Sequence, residues 1–137
     1  MLANAQTLVQ LDPFAQATAG LAACPIVKPR LFTLDEMRTE GHIRIERGTR
    51  CALEGTCEPG GAYKRDAGIN ESVRASIAGN GSFAGTSVWV TTSRKWVTLK
   101  GCVRTSALRS AFVRFVEKLP GVERVFDQLT IERAPAR

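Results

Sequence analysis

The sequence predicts an α+β fold, in which helices pack on one face of a three-stranded mixed sheet and a helical, cysteine-containing N-terminal extension precedes this α-β-β-α-β domain. Residues 87–92 and 96–103 alternate apolar and polar side chains, as half-buried strands do. Residues 69–77 and 108–119 repeat apolar side chains at helical spacing. The length of 137 residues suits one domain with an extension better than two full domains.

The N-terminal extension is predicted to span residues 1–65 and to contain two helices. An Asp-Pro pair, a good N-cap followed by a residue suited to the first helical position, favours a helix over 13–23. A Thr–Glu pair with capping-box spacing predicts a second helix over 34–47 that ends at Gly48. The glycine- and proline-rich residues 48–63 are expected to form a loop.

The compact domain is predicted to span residues 66–131 and to be followed by a tail over 132–137. Its first helix is expected to be capped by Asn70, and its second helix to be capped by Thr105 or Ser106. A last strand follows the second helix. The resulting order places both helices on one face of the sheet.

Two glycines of the compact domain are predicted to have structural roles. Gly101 lies late in the second strand, where a glycine indicates a bulge or the close approach of another backbone. Gly121 follows a proline, and the pair ends the second helix. Both glycines also belong to motifs.

The motifs are VTLKGCV at 97–103 and GVERV at 121–125, followed by Leu129. They resemble the V-x-L-x-G-x-V and closing G-V-x-x-V motifs of the BON domain, a small bacterial envelope module. The resemblance implies a non-catalytic module that attaches to phospholipid surfaces or to envelope partners. One departure is the hairpin turn, which usually carries Asp-Gly or Asn-Gly and here reads Ser-Arg-Lys at 93–95.

The outer face of the sheet is the predicted binding surface. Strand alternation places Trp89, Trp96 and Lys100 on this face, with Arg94 and Lys95 in the turn beside it. Aromatic patches rimmed by charge often mark contact sites, and tryptophan with basic neighbours suits a lipid headgroup interface. The alternative is that the N-terminal helices fold back over this face, which would make the tryptophans part of the core.

The extension also carries a candidate metal site. Cys24, His42, Cys51 and Cys57 are four possible zinc ligands, and zinc can fold a segment too small to build its own core. Two alternatives stay open: a Cys51–Cys57 disulfide, which would imply an oxidising compartment, or free buried thiols. Cys102 is expected to have a structural role.

These observations favour a non-catalytic adaptor. The formal net charge of +6 favours anionic partners, so we expect docking onto a protein of an envelope or secretion-type assembly, or onto an anionic phospholipid surface. A zinc-stapled structural subunit of a larger complex is the alternative. Nucleic-acid binding is less favoured because the basic residues are scattered and the motifs of RRM and KH domains are missing. Catalysis is not expected, since the sequence has neither a Gly-x-Ser-x-Gly elbow nor a phosphate-binding loop.

The predicted location is the cytoplasm or the cytoplasmic face of the membrane. No Lys or Arg precedes Lys28, so the positive region of a signal peptide is missing. The alternative is a periplasmic lipoprotein, because Leu21-Ala22-Ala23-Cys24 resembles the site where lipoproteins are acylated.

Overall fold

The computed structural model describes residues 7–59 and 61–132. Within them the α+β class is confirmed. A single-turn 3₁₀ helix precedes β4. The other elements are, in chain order, β1 (Leu8–Val9), β2 (Phe14–Ala19), β3 (Phe32–Thr33), α1 (Leu34–Glu54), α2 (Asp66–Ala78), β4 (Ser87–Ser93), β5 (Trp96–Val103), α3 (Ser106–Glu117) and β6 (Arg124–Ile131).

The main sheet has four strands, in the order β2-β4-β5-β6, and not the predicted three. The β2–β4 and β4–β5 pairs are antiparallel, and β5–β6 is parallel. The fourth strand comes from the segment 13–23, for which the predicted helix is wrong. Without β2, the backbone groups on one side of β4 would form an unpaired sheet edge, and the hydrogen bonds that satisfy them outweigh a local Asp-Pro signal.

Helix α1 begins as predicted and ends later. Thr33 and Glu36 form both hydrogen bonds of the capping box. The helix continues through Gly48 to Glu54, so the predicted end of the helix and the predicted start of the loop are wrong. Gly48 does not cap the helix because it serves a close contact instead: a Cβ there would lie 3.0 Å from the Cα of Gly61.

The core lies between the inner face of the main sheet and the helices α2 and α3. Asn70 is buried inside α2 and does not cap it, which corrects the prediction; its Oδ1 accepts a 2.8 Å hydrogen bond from the hydroxyl of Thr92. The alternation that places Trp89, Trp96 and Lys100 on the outer face turns the intervening apolar residues of β4 and β5 inward, and these residues are buried. The largest fully buried apolar side chains of this core are Val73, Ile77, Val88, Val90, Val97, Leu99, Val103, Phe112 and Val116.

Gly101 has the predicted close backbone approach. Its φ is 131°, and a Cβ there would lie 2.1 Å from the carbonyl oxygen of Ser87 on β4. Gly121 has φ 84°, and a Cβ there would lie 3.0 Å from a side-chain carbon of Ile69. Any other residue at Gly101 would push β4 and β5 apart at the point where the extension is attached.

Among the described residues, no helix combines the length and the apolar character that crossing a membrane requires.

Candidate functional site

One half of the outer sheet face is covered by the segment that follows β2. Trp89 is only 6% exposed and packs in a cluster with Leu21, Cys24 and Cys102. Trp89 is therefore a core residue and does not belong to a binding surface. The alternative prediction, coverage by the extension, holds for this half, although the cover is the irregular segment after β2 and not a pair of helices.

A disulfide between Cys24 and Cys102 fastens this cover to β5, with the two Cα atoms 5.8 Å apart. The hydroxyl of Ser87 adds two hydrogen bonds of 2.9 Å, because it donates to the carbonyl of Leu21 and accepts from its N–H. The structural role predicted for Cys102 is thus a covalent one. The cover is tied to the sheet by both covalent and polar contacts.

The predicted zinc set is not assembled in the structure. Cys51 and Cys57 form a second disulfide at the end of α1, so three of the four proposed ligands have no thiolate to offer a metal. The fourth, His42, lies exposed on α1 with its Nε2 3.1 Å from a carboxylate oxygen of Glu46. No cluster of three or more metal-ligating side chains occurs in residues 7–59 and 61–132.

The other half of the outer face is open and carries the second tryptophan. Trp96 is half-buried, and the guanidinium carbon of Arg94 lies 3.9 Å above the centre of its ring. Phe126 lies with its ring centre 5.6 Å from that of Trp96, and Arg124 lies 5.7 Å from the same ring. Together with the exposed Lys100, these residues form what we call the basic-aromatic surface.

Phe126 and Arg124 were missed by the sequence prediction. The parallel register sets Arg124 beside Trp96 and Phe126 beside Thr98, so both fall on the outer face. The GVERV motif contains Arg124, but alternation within one strand does not reveal which residue of another strand lies beside it. The β5–β6 register is therefore the information that the sequence lacked.

The hairpin turn presents two of the predicted cations. Arg94 and Lys95 both have positive φ, 57° and 63°, in a two-residue turn that normally favours asparagine and glycine. The buried Asp66 holds this turn, since its two carboxylate oxygens accept hydrogen bonds of 2.8 and 2.9 Å from the N–H groups of Arg94 and Lys95. Burial raises the pKa of Asp66, against the lowering effect of these two hydrogen bonds.

A surface cavity of about 440 Å³ adjoins the basic-aromatic surface. The end of α1, the Cys51–Cys57 disulfide and the hairpin turn form its walls, and Trp96 lines it too. Lys95, whose Nζ lies 3.8 Å from a carboxylate oxygen of Glu123, points to the same cavity. The predicted residues Arg94, Lys95 and Trp96 are thus brought together, whereas Lys100 lies on the open sheet beyond them.

Comparison with known proteins agrees with the motifs. The model of the BON domain matches residues 65–133, which is half of the chain. No curated protein and no solved structure matched the chain. The matched region runs from α2 through β6, while β2, α1 and three of the four cysteines lie outside it.

Proposed function

The chain belongs to the BON domain family, and on that premise we propose that it is a non-catalytic module that attaches to an anionic phospholipid surface. The observation that carries the proposal is the open half of the outer face. There the guanidinium carbons of Arg94 and Arg124 lie 3.9 and 5.7 Å from the centre of the Trp96 ring, and the ring of Phe126 lies next to it. An aromatic ring surrounded by cations suits the boundary between lipid headgroups and acyl chains.

The charges of this surface are available to a partner. Among the described residues, no carboxylate lies within ion-pairing distance of Arg94, Lys100 or Arg124. Each basic residue near an anionic membrane contributes about 1 kcal/mol, so three supply about 3 kcal/mol. This attraction decays over about 8 Å at physiological salt, which makes reversible, salt-sensitive attachment the expected behaviour.

The test is flotation of the full-length oxidised protein with phosphatidylglycerol-containing vesicles and with phosphatidylcholine vesicles, at low and at high salt. We expect flotation only with the anionic vesicles and only at low salt. Lys100→Glu should reduce it several-fold. Lys118→Glu, an equal charge change at the end of α3, is the matched control. Equal flotation with both lipids, or equal loss in both variants, would contradict the proposal.

We also propose an oxidising compartment, in place of the expected cytoplasmic location. All four cysteines are paired in the structure, and disulfides persist in oxidising environments such as the bacterial periplasm. Alkylation of the protein in intact cells with a maleimide reagent checks this. Cysteines that react only after reduction support the proposal, and cysteines that react directly contradict it.

A protein partner is the second candidate, favoured by a different surface. Ile45 and Leu53 on α1 are 70% and 84% exposed and border an apolar groove closed on its other side by Pro59 and Tyr63. Exposed apolar side chains beside a groove are typical of protein contact sites. Leu53→Asp should abolish capture of such a partner and leave vesicle flotation unchanged. This one variant therefore distinguishes attachment to a protein from attachment to a membrane.

A further inference from the structure

The cavity beside the basic-aromatic surface is lined by two arginines of α1, Arg47 and Arg50, in addition to the residues of the hairpin turn. We propose that it is a pocket for one phosphate ester, held between the end of α1 and the hairpin turn. This proposal rests on the proposed function in one respect, because the phosphate of an anionic lipid headgroup is one of the two possible sources. A free phosphate ester is the other.

The size of the cavity fits such a ligand. At about 440 Å³ it lies within the range of about 300–1,000 Å³ that small-molecule sites occupy. A phosphate ion alone would leave most of this space empty. The volume therefore admits a phosphate together with a glycerol-sized substituent.

The lining is cationic, with four basic side chains and two carboxylates, a balance of +2. Arg47 and Arg50 approach from one side, on α1, and Arg94 with Lys95 from the other, on the turn. Planar guanidinium groups bind phosphate oxygens in pairs, which makes arginine the preferred residue for recognising them.

Two of the four cations are free to bind an anion. Lys95 is paired with Glu123, and Arg47 donates a 2.9 Å hydrogen bond to the hydroxyl of Tyr63. Arg50 and Arg94 have no carboxylate within ion-pairing distance among the described residues. These two guanidinium groups, one on each wall, are the expected phosphate ligands.

The Cys51–Cys57 disulfide holds the wall that carries Arg50. It folds the chain back at the end of α1, where the N–H groups of Thr56 and Cys57 both donate to the carbonyl of Cys51. Helix α1 needs this support because Gly48 is its one fully buried residue in the described structure. The disulfide therefore holds the chain after α1 against the helix end that carries Arg50.

The experiment titrates the full-length oxidised protein with glycerol phosphate, and with uncharged glycerol at matched ionic strength, while the two indole N–H signals are followed by NMR. We expect a saturable shift of the Trp96 signal with glycerol phosphate alone, because Trp96 lines the cavity and Trp89 is enclosed elsewhere. Arg50→Gln should weaken binding about tenfold, the loss expected for one charge-assisted contact. Arg114→Gln on the opposite helix α3 is the matched control and should bind as the unchanged protein does.

No saturable shift, or an Arg50→Gln protein that binds normally, would overturn the pocket. Flotation of the same variants distinguishes the two proposals. If Arg50→Gln floats normally and Lys100→Glu does not, the membrane proposal stands and the headgroup source is overturned. If glycerol phosphate binds but neither the unchanged protein nor any variant floats with vesicles, the membrane proposal is wrong. The pocket would then bind a free phosphate ester.

Discussion

The two tryptophans lie on adjacent strands and on the same face of the same sheet, yet one is core and the other is surface. Trp89 is 6% exposed under the segment tied down by Cys24, whereas Trp96 is half-buried among cations. The family match covers both residues, so the matched sequence does not separate them. The difference comes from the extension, which covers one half of the face and leaves the other half as the candidate site.

The largest expected effect is the loss of the Cys24–Cys102 disulfide. The Cys24→Ser, Cys102→Ser double variant should lose about 4.5 kcal/mol of stability, because this bridge spans 78 residues and constrains the unfolded chain strongly. The matched Cys51→Ser, Cys57→Ser variant, with a separation of 6 residues, should lose about 2 kcal/mol. Urea unfolding measures both. Equal losses would mean that the cover is held by its other contacts.

Truncation of each tryptophan should give the next largest contrast. Trp89→Ala removes a side chain enclosed by the cover and should lower the free energy of unfolding by about 4 kcal/mol. Trp96→Ala removes a half-buried ring and should cost about 1 kcal/mol. Thermal and urea unfolding of the two variants test the contrast, and it fails if Trp96→Ala is the more damaging change.

A smaller loss is expected from Asp66→Asn. An amide offers one acceptor where the carboxylate offers two, so one N–H of the Arg94–Lys95 turn would lose its partner at a cost of about 1–3 kcal/mol. Adding Lys95→Gly to this variant should recover part of the loss, because glycine adopts positive φ without strain. If the double variant is no more stable than Asp66→Asn alone, Asp66 does not stabilise the protein by compensating for backbone strain in the turn.

The pH dependence of stability offers the finest test of the same carboxylate. Burial raises the folded-state pKa of Asp66 above its ordinary value of 3.8, so between the two pKa values the native state binds more protons than the unfolded state. Stability therefore increases as pH falls through that window and decreases as pH rises through it. Asp66→Asn should flatten this part of the stability–pH profile, and an unchanged profile would assign the titration to another group.

The compact domain could be predicted from sequence because its signals are local. Alternation located the inward-facing valines of β4 and β5, and Gly101 indicated a close backbone approach that the structure contains. The extension could not be predicted in the same way. Strand β2 forms as the edge partner of β4, which is a long-range pairing. The Cys51–Cys57 disulfide is one of the alternatives that the sequence left open, whereas the Cys24–Cys102 disulfide joins residues too far apart in sequence for spacing to pair them.

The candidate site was predicted in part for the same reason. Trp96, Arg94 and Lys95 come together because they are neighbours in sequence around one turn. Arg50 and Phe126 join them through the docking of α1 and the β5–β6 register, which are long-range features. The segment around Cys24, which is distant in sequence, also buries Trp89, although local alternation placed Trp89 on the outer face.

Quenching of tryptophan fluorescence by brominated phosphatidylglycerol vesicles tests the division of the outer face most directly. We expect quenching of the unchanged protein and none in Trp96→Phe, whose remaining Trp89 is enclosed by the cover. Flotation of Trp96→Phe with the same vesicles checks that it still attaches through its cations. A membrane-bound Trp96→Phe protein that is still quenched would place Trp89 at the lipid and contradict the division of the face into a covered core and an open site.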